Sequence, residues 1–246
     1  MSAIRTSLRT STRILRLNTP KAIPTTTRTT TRTFHATSTF KMPEPLKSTD
    51  INSSTDPSVA RQYDRETPTD KQISDFFGLA DSLKTCLMTT HRPGVGPVSR
   101  SMAVAKRNGP DFLFLANAHS NKFSDLDKDK TIQLTFQDSS SQNWASITGK
   151  ATVTDNSDPR IKELNNPFAA AWFGDLGDGV HTGKAEDPRM TLIEVKADYI
   201  AYWLSTSTKL GFLKEIAEAN LTGKVATTGV NRELKQSEIE QARQQK

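Results

Sequence analysis

The residues best suited to chemistry lie in three short runs. The first is Asn117-Ala118-His119-Ser120-Asn121-Lys122-Phe123. It leaves an apolar stretch and enters a helical one, so Ser120 stands where a helix cap is expected, with free backbone N–H groups behind it. Lys122 adds a point charge of the kind that binds phosphate. These residues form either an anion site or an ordinary capped helix with a surface lysine. The second run is Ser99-Arg100-Ser101-Met102-Ala103-Val104, in which Arg100 interrupts a strand that otherwise alternates towards an apolar face. A charge in a half-buried strand needs a partner. That partner is a ligand oxygen gripped by the guanidinium fork, or an Asp or Glu at the rim. The third run is Ala171-Trp172-Phe173-Gly174-Asp175-Leu176-Gly177-Asp178-Gly179. Two aromatics before a Gly-rich loop wall a planar ligand, or pack as a core pair at a helix end.

Other chemistries find no support. Cys86 is the single cysteine, so no intrachain disulfide and no cysteine-based metal site can form. His35, His91, His119 and His181 show no ligand spacing, and no metal is expected. Gly183-Lys184 is not a phosphate loop, because Asp178 falls where a glycine is required and Ala185 replaces the hydroxyl. No residue stands out as a catalytic acid or base. No apolar run approaches the ~20 residues that span a bilayer.

The elements that must carry these runs follow from periodicity. Thr69-Asp70-Lys71-Gln72 reads as a capping box, and Ile73, Phe76, Phe77, Ala80 and Leu83 recur at helical spacing behind it. Strands are expected over 86–90, 98–106, 112–115, 131–136, 144–154, 191–195 and 199–204. Asn108-Gly109 signals a hairpin, and Gly149 a bulge or a close backbone approach. Short helices are expected over 120–128, 159–172 (broken at Asn165-Asn166-Pro167) and 209–220. Residues 42–68 read as a polar linker, and 221–246 as a polar, mobile tail. Hairpin-linked strands with short flanking helices predict a mainly β, α+β fold: a small antiparallel barrel over 69–220.

The N-terminus has a different composition. Residues 1–41 hold eight Lys and Arg and no acid. Ile4, Leu8, Leu15 and Leu17 interleave with Arg5, Arg9, Arg13 and Arg16, so a short helix there has one apolar and one basic face. This is the pattern of a mitochondrial presequence. Arg32-Thr33-Phe34-His35-Ala36-Thr37 resembles a two-step processing site, with a first cut before Phe34 and a mature start at Met42. The expected location is the mitochondrial matrix, or the cytoplasm if translation starts at Met42. The whole chain carries +6, but beyond residue 41 there are 25 basic and 27 acidic residues, a net charge of −2. A nucleic-acid partner is therefore not expected, nor a membrane after import.

In order, the chain shows a Ser-Arg-x-Met strand, a hairpin, a Phe-x-x-Asn strand end, a Ser-x-Lys helix start and a Trp-x-Ser-x-x-Gly strand. This order resembles the pyridoxamine-phosphate-oxidase-like split barrels, above all the bacterial general stress proteins and their fungal blue-light-inducible relatives. The run from Ala171 through His181 to Arg189 is similar to the fungal members. The resemblance implies a homodimeric split β-barrel with FMN at the subunit interface. It places the phosphate at Ser120 and Lys122, with Asn121 between. Arg100, Ser101 and Met102 would line the ring and phosphate, and Leu115 and Ala116 the ribityl chain. Trp144 would face the flavin from the other subunit, and Trp172 would close the pocket. Many relatives have Thr where this chain has Ala116. The C-terminus lacks the Arg- and His-bearing motif of true pyridoxamine-phosphate oxidases, so that activity is not expected. The implied function is an FMN-dependent oxidoreductase acting on a small molecule in a stress- or light-related role. The alternative is a non-enzymatic flavin-binding stress protein or redox sensor.

Overall fold

The computed structural model describes residues 66–245, with Asn52, Thr55, Asp56, Ser58, Tyr63 and Asp64 upstream. The segment read as a presequence lies outside the described residues. Helix α1 (Thr69–Leu83) buries Ile73, Phe76, Leu79 and Ala80, the face set by helical spacing. Its cap differs from the expectation. Pro68 occupies the N-cap and no side chain caps the helix. Gln72 instead donates its amide to the Thr67 carbonyl at 2.8 Å. Thr69 is already the first helical residue, so its hydroxyl is one position too late to act as a cap.

Eight strands follow: β1 (Thr85–Arg92), β2 (Gly96–Ala103), β3 (Lys106–Asn108), β4 (Asp111–Asn117), β5 (Thr131–Asp138), β6 (Asn143–Thr154), β7 (Met190–Ser205) and β8 (Gly229–Leu234). They form one sheet in the order β2-β1-β5-β6-β7-β4-β3, with β8 also on β7. Every ladder between these strands is antiparallel. With helices α2 (Asn121–Lys128), α3 (Pro159–Leu164), α4 (Pro167–Ala171), α5 (Lys209–Thr222) and α6 (Gln236–Gln244), this is the mainly β split-barrel architecture expected. No helix among the described residues is long and apolar enough to cross a membrane.

Alternation explains where each strand faces. In β1, Cys86, Met88 and Thr90 point inward while Leu87 is exposed. β4 is apolar on both faces because both are covered. Phe112, Phe114 and Ala116 join the main core, and Leu113 joins Ile161, Met190 and Leu192 beneath α3. The rings of Phe76, Phe112, Phe136 and Tyr202 meet at centroid distances of 5.3–6.4 Å. The Tyr202 hydroxyl donates to the Gln72 carbonyl at 2.6 Å.

Three expected strand boundaries are redrawn. The stretch 98–106 is not one strand. β2 ends at Ala103, and the chain then crosses from β1 to β4, with Val104 N–H on the Lys84 carbonyl and Ala105 N–H on the Leu113 carbonyl. The hairpin turns at Gly109-Pro110, since Asn108 pairs with Asp111 and Gly109 takes φ of 61°. The two strands expected over 191–204 are one, β7, which pairs with β4 along its first half and β8 along its second. Its continuity depends on a bulge: Thr148 faces Tyr199 but Gly149 faces Ala197. A Cβ at Gly149 would lie 2.1 Å from the Lys196 carbonyl oxygen, so the close approach expected at this glycine is real.

The largest correction is at the C-terminus. The polar tail expected beyond residue 220 is strand β8 and helix α6, which bury Leu234, Ile239 and Ala242. Its two arginines, Arg232 and Arg243, are paired rather than solvated. Arg232, 8% exposed, donates to Asp64 at 2.8 Å and to Asp75 at 2.6 Å. Burial opposes ionisation of Asp64, yet hydrogen bonds from Thr67, Arg232 and Glu66 hold its pKa at about 2. The last stretch of the presumed linker is thereby fixed to the body. Arg243 reaches back to Asp111, whose carboxylate also accepts from Ala197 N–H beside the bulge.

Candidate functional site

The crossing from β2, on β1, to β3, on β4, lines a cavity of about 520 Å³. That volume lies within the ~300–1,000 Å³ typical of small-molecule sites. The crossing segment from Ser101 to Ala105 forms one side, and Leu115, Ala116 and Asn117 at the end of β4 form the floor. Lys122, from the first turn of α2, also lines it. A further wall comes from α3 and α4, through Leu164, Phe168, Ala169, Trp172 and Phe173. Of the residues singled out from sequence, Ser101, Met102, Leu115, Ala116, Lys122 and Trp172 are thus brought together.

Lys122 is only 9% exposed. Its ammonium donates to the Ser120 hydroxyl at 2.6 Å, and among the described residues it has no carboxylate partner. Burial and the nearby Arg100 charge lower its pKa from the usual lysine value. Ser120 does hold the N-cap position, but its hydroxyl donates to the Asn117 carbonyl at 2.7 Å instead of capping the helix. No side chain caps the first turn, in which the Phe123 N–H donates to the Ser120 carbonyl at 3.1 Å. A buried cation, a second cation nearby and a helix N-terminus together make a site for an anion.

Arg100 lies on the inward face of β2, opposite Met88. Its guanidinium donates to the Met88 carbonyl, to Thr90 Oγ1 at 2.7 Å and to Asp125 at 3.3 Å. Asp125, on the same buried face of α2 as Lys122, also accepts from Thr90 and from Arg92 at 3.0 Å. The Arg92 hydrogen bond chiefly keeps the Asp125 carboxyl below the usual range. Arg100 thus has the acidic partner that its position requires. It does not itself line the cavity, but its charge acts on Lys122. Sequence could not single out Asp125, because an Asp in the middle of a short polar helix looks solvated.

Three other residues lie away from the cavity lining. Ser120 stands behind Lys122, and Asn121 is exposed at the start of α2. Trp144 is on the outer face of β6, in register with Gln137 and Trp203. Phe168 was missed. It follows Pro167 and precedes Trp172 by one helical turn, a pairing visible only once α4 is known to begin at Pro167. The Phe168 and Trp172 rings meet edge to face at 6.4 Å.

This aromatic wall is held from behind by an internal ion pair. Asp187 is fully buried and receives Arg189 at 2.6 Å and the Gly183 N–H at 2.8 Å. The Arg189 hydrogen bond holds the Asp187 carboxyl well below its ordinary range. Arg189 also donates to the carbonyls of Phe173 and Gly174 at 3.0 and 2.8 Å. The Gly- and Asp-rich loop therefore folds back on itself and fixes the end of α4. Among the described residues no cluster of His, Cys, Asp or Glu could hold a metal.

Comparison with known proteins agrees with this architecture. Residues 71–227 match the family described as pyridoxamine 5'-phosphate oxidase like. Protein bli-3 of Neurospora crassa is 38% identical over 192 residues, which is 77% of this chain and 91% of that protein. The fold is similar to two solved structures. A Clostridium acetobutylicum protein related to general stress protein 26 is 18% identical, with a TM-score of 0.51, over 70% of this chain and 99% of its own. A Jannaschia protein assigned to general stress protein 26 is 17% identical, with a TM-score of 0.52, over 68% of this chain and 99% of its own.

Proposed function

Since the chain belongs to the pyridoxamine 5'-phosphate oxidase-like family, we propose that it binds FMN in the cavity between β2, β4 and α4 and uses it for flavin-dependent chemistry. The observation that carries this is Lys122, a buried cation with no carboxylate partner among the described residues, at the first turn of α2. Such a charge is costly to bury alone and is matched by a phosphate. The cavity residues fit the rest of the group. Met102, Leu115 and Ala116 offer an apolar surface to a ring and chain, while Asn117 and Ser101 add polar edges. When bound, FMN supplies reversible hydride or electron transfer, while the protein orients it and sets the charge around it. Lys122 would neutralise the phosphate, and Arg100 would add to the positive field while remaining tied to Asp125. Titration of the cofactor-free chain with FMN and with riboflavin tests the reading, FMN being expected to bind much the tighter. Equal affinity for the two would reject the phosphate grip.

A non-enzymatic flavin-binding role in stress is the second reading. It is favoured by the cavity lining, which holds no Asp, Glu or His among the described residues. Lys122 apart, a reaction there would take its protons from solvent or from the substrate. Stopped-flow reduction of the loaded protein by NADH or NADPH separates the two. Rapid reduction supports an oxidoreductase, and inertness supports a store or sensor.

We also propose that the working form is a homodimer. The outer sheet face presents Leu87, 48% exposed, and Tyr199, 37% exposed, with Trp144 and Trp203 half-buried beside them. A second copy on this face would cover these side chains and bring Trp144 towards the partner's flavin. Light scattering is expected to give twice the chain mass of 27.2 kDa. A monomer that binds FMN tightly would reject the shared site.

For residues 1–41 we propose mitochondrial import. Eight positive charges without an acid move down the membrane potential, each gaining about 2.3 kcal/mol per 100 mV. A fluorescent reporter fused behind residues 1–45 is expected in the matrix. A cytosolic reporter would point to Met42 as the start and to a cytoplasmic protein.

A further inference from the structure

Lys122 belongs to a larger set of charges than the cavity lining shows. Strand β1 places Thr90 and Arg92 on the same face, two residues apart, and both meet Asp125. Asp125 is 2% exposed. Arg92 grips its carboxylate with two nitrogens, Nε on Oδ1 at 3.0 Å and Nη2 on Oδ2 at 3.2 Å. Thr90 donates its hydroxyl to Oδ2 at 2.7 Å and accepts from Arg100 at 2.7 Å. Arg100 gives the carboxylate a single nitrogen, at 3.3 Å. The carboxylate is thus spent mainly on Arg92, whose hydrogen bond is also the chief cause of its lowered pKa. Arg100 is held in place by Asp125, Thr90 and the Met88 carbonyl but is only partly neutralised.

Among the described residues, three cations, Arg92, Arg100 and Lys122, therefore share the one Asp125 carboxylate. The surplus of two positive charges matches a phosphate monoester, which carries about −1.5 to −2 at neutral pH. The cations are coupled in series. Burial lowers the pKa of Arg100 and the Arg92 charge adds to this, while burial and then the Arg100 charge lower that of Lys122. Neither Arg92 nor Asp125 lines the cavity. Building on the FMN reading above, we propose that this pair nonetheless sets how tightly the site holds a phosphate: Asp125 positions Arg100 near Lys122, and Arg92 neutralises Asp125 so that the Arg100 charge stays available to the ligand. Without Arg92, the whole of the Asp125 charge falls to Arg100, and the surplus drops to one. Asp125 is a positioning residue that acts through Arg100, and Arg92 is its counter-charge.

Fluorescence titration of the full chain with FMN and with riboflavin tests the proposal. Arg92→Gln is expected to weaken FMN about five- to tenfold and riboflavin by less than about threefold, the effect of one unit charge about 10 Å away in partly solvated protein. Arg92→Lys returns the charge without the fork and is expected to hold FMN within about threefold of the parent. Arg92→Gln with Asp125→Asn removes one charge of each sign and leaves Thr90 and Arg100 an oxygen to bond. This charge-balanced variant is expected to recover FMN affinity to within about threefold of the parent. Unchanged FMN affinity in Arg92→Gln, equal loss of both ligands, or a double variant weaker than Arg92→Gln would overturn the proposal and leave the pair a part of the packing alone. If the chain takes up no FMN, the reading of the previous subsection fails by itself. Inorganic phosphate titrated calorimetrically against the cofactor-free chain and the same variants then decides this one. A loss in Arg92→Gln that the double variant restores supports it, and no phosphate binding, or no loss, rejects it.

Discussion

Replacing Lys122 by alanine is expected to weaken FMN binding by about 30- to 100-fold while riboflavin affinity changes by less than about threefold. The magnitude is that of a hydrogen bond to a charged group, roughly 2–3 kcal/mol, at 1.4 kcal/mol per tenfold. The selectivity follows from position. Lys122 lines the cavity from the first turn of α2, within the Arg100 field, and a ligand without phosphate gains nothing from that charge. A second consequence has the opposite sign. In the cofactor-free chain a buried, unneutralised ammonium destabilises the fold, as its lowered pKa indicates. Lys122→Met, which keeps the apolar stem, is therefore expected to raise the melting temperature without FMN and to shrink the rise that FMN induces. A lysine serving only as structure would lower the first and leave the second alone. The pH dependence has a fixed sign. The folded-state pKa lies below that of the unfolded chain, so cofactor-free stability rises with pH between the two values, while FMN affinity falls as Lys122 loses its proton. Dialysis and thermal melts on the two variants, with FMN and with riboflavin, check all of these outcomes. Equal weakening of both ligands would remove Lys122 from the phosphate grip.

Much of the fold was legible because its signals are local. The alternation of Cys86, Met88 and Thr90, the apolar run from Phe112 to Ala116 and the isolated Gly149 each name a strand or a contact without help from distant residues. The site was legible in part for the same reason. Ser120 and Lys122 announce a helix start on their own, and Trp172 announces an aromatic rim. What escaped depends on partners far along the chain. Arg100 meets Asp125 across 25 residues, and Arg189 acts through carbonyls 15 and 16 residues away. A paired buried charge and a solvated one are spelled with the same letter. The break at Val104 was equally hidden, because an extended chain that changes partners keeps the alternation of one that does not. That crossing lines the cavity.

The same blindness to paired charge makes the C-terminus the sharpest test of the fold. A chain ending at Thr228 is expected not to fold cooperatively, although residues 229–246 read as a polar tail. Four losses act together. Strand β8 covers the second half of β7, so its removal strips six register pairs from Ile200 to Ser205. Leu234 and Ile239, both fully buried, take with them about 1.5–3 kcal/mol each of apolar burial. Arg232 leaves Asp75 and Asp64 without the cation they share, and breaking a buried pair costs about 3–5 kcal/mol. Arg243 also goes, and with it a bridge between Asp111 and the Ala197 carbonyl. The first two estimates alone approach the 5–15 kcal/mol that stabilises a typical domain. A milder variant separates charge from covering. Arg232→Met keeps β8 in place but takes the shared cation from Asp64 and Asp75, leaving Asp75 its Lys71 partner, and is expected to cost about 3 kcal/mol in urea unfolding. Asp64 would then lose the Arg232 hydrogen bond that helps hold its pKa at about 2, so its folded and unfolded values draw together and less stability should be lost on acidification than in the parent chain. A chain truncated at Thr228 that melts cooperatively within a few degrees of the full protein would return residues 229–246 to the status of a loose tail. It would also detach Asp64 and the strand bulge from any part in fixing the sheet.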